Sequence, residues 1–186
     1  MRSRETNAPL SNQGRVLCWG LVARTGVEHE IAAGGGYRLP NVEVMKPDPG
    51  DPMPTTTPVL ELRMPCELAS AHRVRERVGG LEIDGLEDEA RERVRIVLSE
   101  LVANAALHSG QTADDTILVT LAERDGALRV TVIDDGPGFV PTTEMPNPRQ
   151  DHGRGIPIVF EYARTMGVTR TDDDATCVWA DIPLAA

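Results

Sequence analysis

Three short clusters of polar residues and glycines contain the side chains best suited to chemistry. The segment ELVANAALH places Glu100, Asn104 and His108 at spacings of four, which on a helix brings all three to one face. The segment DDGPGF, which begins at Asp134, combines a carboxylate with two glycines that leave space beside it. The segment GRGI, which begins at Gly153, offers glycines and backbone N–H groups that can bind phosphate where a helix starts. Taken singly, the clusters also fit a solvated helix face, an acidic turn and an ordinary loop before a helix.

The hydrophobic pattern around these clusters predicts the elements that position them. Strands are predicted at Val59–Met64, Thr116–Glu123, Ala127–Ile133, Val168–Arg170 and Thr176–Ile182, and helices at Cys66–Val78, Glu87–His108 and Ile156–Met166. The first helix has a predicted core face of Leu68, Ala71, Val74, Arg75 and Val78, and the long helix one of Ala90, Val94, Val97, Leu98, Leu101, Val102 and Ala105. This order of elements predicts an α+β fold, a two-layer sandwich of a mixed β-sheet with helices on one face.

Composition divides the chain near residue 57. Residues 1–57 contain 6 Pro and 7 Gly and carry no net charge, which predicts a mostly disordered extension with a local element at Val16–Val22. An alternative is that translation starts later, at Met53, just before the first predicted strand. Residues 58–186 carry the entire formal charge of -10 and contain every regular element named above. We therefore expect residues 58–186 to form the functional domain.

The charge and the cysteines exclude several classes of protein. A net charge of -10 argues against binding nucleic acid by neutralising phosphates, and against docking on anionic lipid. The longest apolar run, Val16–Ala23, is too short to span a bilayer, and charged residues follow it where a signal-peptide cleavage site would lie. The three cysteines, Cys18, Cys66 and Cys177, lack metal-ligand spacing and are expected to be reduced thiols. These features favour a cytoplasmic protein.

In their order and spacing, the three clusters resemble the nucleotide-binding motifs of the GHKL ATPase superfamily. ELVANAALH resembles its N box, DDGPGF its G1 box and GRGIPIV its G2 box, and the chain has no P-loop motif. The residues of the N box and the short lid, Phe139–His152, are most similar to those of the anti-sigma-factor serine/threonine-protein kinases of the RsbW type. The resemblance covers about residues 58–183 and implies the Bergerat (GHKL) ATP-binding fold.

The resemblance also implies a role for each matched residue. Asp134 would accept a hydrogen bond from the adenine amino group, and Asn104 would ligate Mg²⁺ through its amide oxygen. Glu100 would act as general base toward a serine or threonine hydroxyl. The remaining nucleotide contacts would come from Gly136 and Gly138 on the adenine side, and from Gly153, Arg154 and Gly155 at the phosphates.

The resemblance includes two further positions, His108 and Thr176. His108 matches the last position of the N box, where a phosphate contact and a packing role at the helix end are equally compatible with the sequence. Thr176 matches a threonine that supports the adenine-binding aspartate. The family usually has Gly-Thr there, whereas this chain has Ala175-Thr176, so the preceding turn is expected to differ.

The function implied by the resemblance is that of an ATP- and Mg²⁺-dependent serine/threonine-protein kinase that is also an anti-sigma factor. It would bind a sigma factor, phosphorylate an anti-anti-sigma (STAS-type) protein, regulate transcription and form a homodimer, with slow ATP hydrolysis as a side reaction. The alternative is a non-catalytic ATP-binding regulatory module that sequesters a protein partner. The catalytic part of a histidine kinase is disfavoured, because the residues before 58 show no dimerising helix pair with a phospho-accepting histidine.

Overall fold

The protein is an α+β sandwich, as the order of predicted elements indicated. The structure, a computed structural model, describes residues 57–139, 155–171 and 173–184, together with the backbone of residues 21–24. Its elements are β1 (Leu21–Arg24), β2 (Leu60–Pro65), α1 (Leu68–Gly79), α2 (Asp88–His108), β3 (Thr116–Arg124), β4 (Ala127–Asp134), α3 (Gly155–Tyr162), β5 (Thr165–Arg170) and β6 (Thr176–Pro183).

The strands form one six-stranded sheet in the order β1-β5-β6-β4-β3-β2, and every neighbouring pair is antiparallel. The prediction of a mixed sheet is therefore wrong in this detail. Two helices separate β2 from β3, so the chain returns in the opposite direction. In the described part of the connection from β4 to β5 there is one helix, α3, and the two strands run parallel; β6 lies between them and pairs antiparallel with both. The position of β6 thus decides the sheet type.

The hydrophobic core lies between the sheet and the three helices. The predicted stripe of α2 is confirmed, since all seven of its apolar residues are buried. In α1, Val74 and Val78 are fully buried, but Leu68 is 56% exposed and does not belong to the core. The helix begins at Leu68 instead of at Cys66, and Cys66 itself fills the space beside the end of α2, with its thiol 3.4 Å from the hydroxyl of Ser109.

The third helix is shorter than predicted. It ends at Tyr162, and Met166, expected at the end of the helix, is a buried residue of β5. Pairing with β6 favours the strand, because it satisfies the backbone of Thr165–Arg170 while Met166 still reaches the core. None of the helices in the described ranges is both long and apolar enough to cross a membrane.

Strand β1 belongs to the segment predicted to be mostly disordered. Its residues Leu21 and Val22 overlap the local element expected at Val16–Val22, and the strand pairs with β5 at the edge of the sheet. The rest of residues 1–56 lies outside the described residues, so their predicted disorder and the domain boundary near residue 57 remain predictions.

A buried ion pair ties together β4, β5 and β6 on the sheet face opposite the helices. Arg129 donates two hydrogen bonds to Asp181, at 2.7 and 2.8 Å, and Thr165 donates a third to the same carboxylate at 2.8 Å. The guanidinium of Arg129 also lies 3.9 Å from the ring centroid of Trp179. Trp179 packs so closely on Gly167 that a methyl group there would come within 2.6 Å of the indole ring. The cluster fixes the strands that carry the site residues Asp134 and Thr176.

Candidate functional site

One edge of helix α2 carries the first predicted cluster. Glu100 and Asn104 are half-buried, whereas His108, in the last turn, is exposed. Glu100 and Asn104 lie beside the buried positions Leu101 and Ala105, as the periodicity predicted. The structure therefore places two of the three side chains at the border between the core and solvent, where a ligand can reach them.

Asp134, the last residue of β4, is held by the turn that follows it. The residue is 6% exposed, and its Oδ1 accepts a hydrogen bond of 2.8 Å from the N–H of Gly136. Burial raises the pKa of the Asp134 carboxyl, and the charge of Asp135 raises it further. The hydrogen bond from Gly136 and the guanidinium of Arg170 act in the opposite direction. The Asp134 carboxylate is therefore a buried hydrogen-bond acceptor, and its second oxygen, Oδ2, takes no part in the bond from Gly136.

Gly136 lies in close contact with the end of helix α2. A methyl group at this position would lie 2.5 Å from Cα and 2.8 Å from Cβ of Ser109, and 2.6 Å from Oδ1 of Asp134. The side chain of Gln111 also accepts a hydrogen bond of 3.2 Å from the N–H of Asp135. The turn after β4 and the end of α2 are therefore packed together, which explains why position 136 requires glycine.

The carbonyl oxygen of Gly136 accepts two hydrogen bonds from the strands on the other side. The Thr176 hydroxyl donates at 2.6 Å, and Nη1 of Arg170 donates at 2.7 Å. Thr176 thus supports the turn through Gly136, and its Cα is opposite that of Asp134 in the β4–β6 pairing. Gly138 lies over Thr176 with a φ of 75°, in the left-handed region that favours glycine.

The turn before Thr176 is closed by a threonine instead of by the glycine that the family usually has. The N–H of Thr171 donates to the carbonyl of Ala175 at 2.8 Å, and the N–H of Ala175 donates back to the Thr171 hydroxyl at 3.0 Å. This pair of bonds fixes Ala175 at the start of β6. The departure from Gly-Thr therefore leaves Thr176 in position, buried at the end of the site.

Glu100 lies against the first residue of α3. A methyl group on Gly155 would lie 2.8 Å from Oε2 of Glu100, so only a glycine allows the carboxylate this close to the start of the helix. Burial raises the pKa of the Glu100 carboxyl, and the charge of Arg75 partly offsets this. A carboxylate with a raised pKa is a stronger base than an exposed one.

Two contacts in the C-terminal half of α2 mark the ends of an elongated site. Glu100 contacts the start of α3, and Ser109, nine residues later, contacts Gly136. Nine residues of helix span about 14 Å. Asn104 lies between these two ends. A ligand on this face would meet a buried carboxylate at one end and a glycine at a helix start at the other, which is an arrangement suited to a nucleotide with its base at Asp134.

The comparison with protein families agrees with this geometry. Residues 64–182, well over half of the chain, match the model of the family described as the histidine kinase-like ATPase domain. The chain belongs to this family. The match supports the GHKL resemblance and, with the α+β structure, the predicted fold class. No curated protein matches the chain significantly.

Parts of the predicted site of this ATPase domain lie outside the described residues. These are Gly153, Arg154 and the lid, of which only Phe139 is described, partly buried against the core. The roles assigned to the ten site residues stay predictions, although the structure brings Asp134, Gly136, Gly138 and Thr176 together and places Glu100 beside Gly155.

Three residues that support the site were not predicted from the sequence. Arg170 and Gln111 bind the turn after β4, and Ser109 packs on it. The sequence signal for Ser109 was its place directly after the predicted long helix, which ends at His108. Nothing in the sequence indicated Arg170, since its partners lie on other strands and its pairing depends on the sheet order.

The described side chains of this ATPase domain fit a magnesium ion that takes one ligand from the protein. No group of three or more His, Cys, Asp or Glu side chains in the described ranges forms a metal site by itself. Asn104 offers one amide oxygen, a ligand type that Mg²⁺ accepts together with phosphate oxygens and water. Asn104 would hold the ion, and the ion would neutralise phosphate charge in a protein of net charge -10.

Proposed function

We propose that this domain is an ATP-binding serine/threonine-protein kinase and anti-sigma factor that phosphorylates an anti-anti-sigma protein of the STAS type. It would act in the cytoplasm as a homodimer and regulate transcription by binding a sigma factor. The family match supports an ATPase- or kinase-like domain, and the choice of kinase rests on Glu100.

The observation that carries this proposal is the position of Glu100. Its carboxylate is half-buried, has a raised pKa and lies at the start of α3, one helical turn from Asn104. The glycine at the helix start is where the phosphates of a bound nucleotide would be expected. A base at this end of the site is next to the γ-phosphate, and that is where an attacking hydroxyl must be deprotonated.

Asp134 and Glu100 have separate roles in the proposed reaction. Asp134 accepts a hydrogen bond from the adenine amino group and fixes the base end. A serine or threonine hydroxyl of the partner transfers its proton to Glu100, its oxygen bonds to the γ-phosphorus, and the bond to the bridging oxygen breaks so that ADP leaves. Water in place of the hydroxyl gives slow ATP hydrolysis by the same steps.

The test is phosphorylation of candidate STAS-type proteins by the full chain with Mg-ATP, followed by mass spectrometry of phosphoserine and phosphothreonine. Glu100→Gln is expected to lower the rate about 10²- to 10⁴-fold, the range for loss of a general base. Glu89→Gln is the matched control, because Glu89 is exposed in the first turn of the same helix. This control should phosphorylate at the wild-type rate.

Two results would contradict the proposal. Equal phosphorylation by Glu100→Gln and wild type would remove Glu100 from the reaction. Tight ATP binding with no turnover in the presence of any partner would favour the non-catalytic regulatory module. Capture of a sigma factor by the ATP-bound wild type supports the anti-sigma role in either case.

A further inference from the structure

We propose that Arg170 is a positioning residue for adenine recognition: it holds the turn after β4 so that Asp134 presents its carboxylate to the base. This inference rests on the ATP binding in the proposed function, and on neither the kinase activity nor the partners. Arg170 belongs to none of the three motifs and is the last residue of β5.

Arg170 forms an ion pair with the exposed Asp174, whose Oδ1 lies 3.3 Å from Nε, and its Nη1 forms a closed cycle of hydrogen bonds with Gly136 and Thr176. Nη1 donates to the carbonyl oxygen of Gly136 at 2.7 Å and to Oγ1 of Thr176 at 2.8 Å, while Thr176 donates to the same carbonyl at 2.6 Å. Because the guanidinium occupies an acceptor lone pair of the hydroxyl, the hydroxyl hydrogen is directed at Gly136. Arg170 therefore fixes the orientation of Thr176 as well as the turn.

Gly136 transmits this constraint to Asp134. The residue is clamped at its carbonyl by Arg170 and Thr176, and its N–H donates to Oδ1 of Asp134 at 2.8 Å. That bond occupies Oδ1 and leaves the other oxygen for a ligand. If Gly136 moves, the hydrogen bond that orients the carboxylate is lost with it.

Arg170 also acts on Asp134 through its charge. The guanidinium lowers the pKa of Asp134 against the desolvation that raises it. An ionised carboxylate only accepts hydrogen bonds, so it pairs with the amino group of adenine and repels the carbonyl oxygen of guanine. Selection of ATP over GTP thus depends on both the geometry and the charge that Arg170 supplies.

Two substitutions separate these effects. Arg170→Met removes the donors and the charge, whereas Arg170→Lys keeps the charge and loses the planar fork. Arg77→Met is the control, because Arg77 is exposed on α1. Titration calorimetry with Mg-ATP and Mg-GTP, at several pH values between 5 and 8, measures affinity and selectivity, and circular dichroism verifies folding.

For Arg170→Met, we expect ATP affinity to fall about tenfold to hundredfold, from the loss of charge-assisted hydrogen bonds. The ATP/GTP ratio should fall, and the pH below which ATP binding is lost should rise, because the pKa of Asp134 is then higher. For Arg170→Lys, we expect a lower ATP/GTP ratio, whereas the pH below which ATP binding is lost should change little. Arg77→Met should match wild type.

The inference is overturned if Arg170→Met retains the wild-type ATP/GTP ratio and pH dependence. A uniform loss of affinity for both nucleotides, with ratio and pH dependence unchanged, also overturns it, because a purely structural role would have that effect. If Arg170→Met does not fold, an unchanged ratio in Arg170→Lys overturns it. Failure of wild type to bind ATP would instead overturn the proposed function. Loss of kinase activity with retained ATP binding leaves this test intact.

Discussion

Replacement of Gly136 by alanine tests the close contact between the turn after β4 and helix α2. The added methyl group would lie 2.5 Å from Cα and 2.8 Å from Cβ of Ser109, and 2.6 Å from Oδ1 of Asp134. The backbone fixes the positions of Cα and Cβ of Ser109, so no change of rotamer relieves the overlap with these two atoms. Overpacking of this kind costs about 1–3 kcal/mol. For a domain of this size, that lowers the melting temperature by about 3–12 °C.

Thermal and urea unfolding of the full chain, followed by circular dichroism, measure this loss. Gly80→Ala is the matched control, because a methyl group there meets only the carbonyl oxygen of Arg77, at an ordinary 3.9 Å, with φ at -94°. Its effect should stay within about 1 kcal/mol and be neutral or stabilising. Gly136→Ala should also weaken ATP binding, since the displaced turn carries the hydrogen bond to Asp134.

A second substitution separates the contact at Cβ of Ser109 from the contact at Cα. Ser109→Gly removes the contact at Cβ but leaves Cα at 2.5 Å, so the double variant with Gly136→Ala should recover only part of the lost stability. Full recovery would mean that the Ser109 side chain alone caused the clash. A melting temperature of Gly136→Ala equal to that of Gly80→Ala would refute the close contact itself.

Two further predictions concern the ion pair and the proposed base. Asp181→Asn leaves Arg129 buried without its charge partner and should lower the free energy of unfolding by about 3–5 kcal/mol in urea titrations, whereas replacing both residues by apolar ones should restore most of it. Burial raises the pKa of Glu100, so its ionised form destabilises the native state, and Glu100→Gln should raise the melting temperature at neutral pH. This gain should decrease as the pH falls through the native pKa and vanish below 4.5, the ordinary pKa of this side chain, where Glu100 is protonated in both states; a gain independent of pH would contradict the assignment.

Much of the fold could be predicted from local pattern. The stripe of α2 and the strands β3 and β4 were predicted closely, because hydrophobic periodicity acts over a few residues. The end of α3 was wrong, because the apolar spacing near Met166 suits a helix as well as a strand and only pairing with β6 decides between them. The antiparallel sheet was missed for the same reason.

The site shows the same division between local and long-range information. Glu100 and Asn104 were recognised because one helix carries both at a fixed spacing. The bond from Arg170 to Gly136 joins residues 34 positions apart, and it exists only because β6 lies between β4 and β5. The role of Thr176 was expected in outline, but its partner proved to be the carbonyl of Gly136.

The pairing of β1 with β5 has a consequence for how the chain folds. Leu21 pairs with Val168, so the partner of β1 is made almost 150 residues later. At typical rates of synthesis this interval is about 7–30 s. Meanwhile β2, β3 and β4, with both helices between them, are contiguous in the chain and can pack first. We expect β1 to join the sheet last during synthesis and, as a four-residue edge strand, to be the first to leave it in local unfolding.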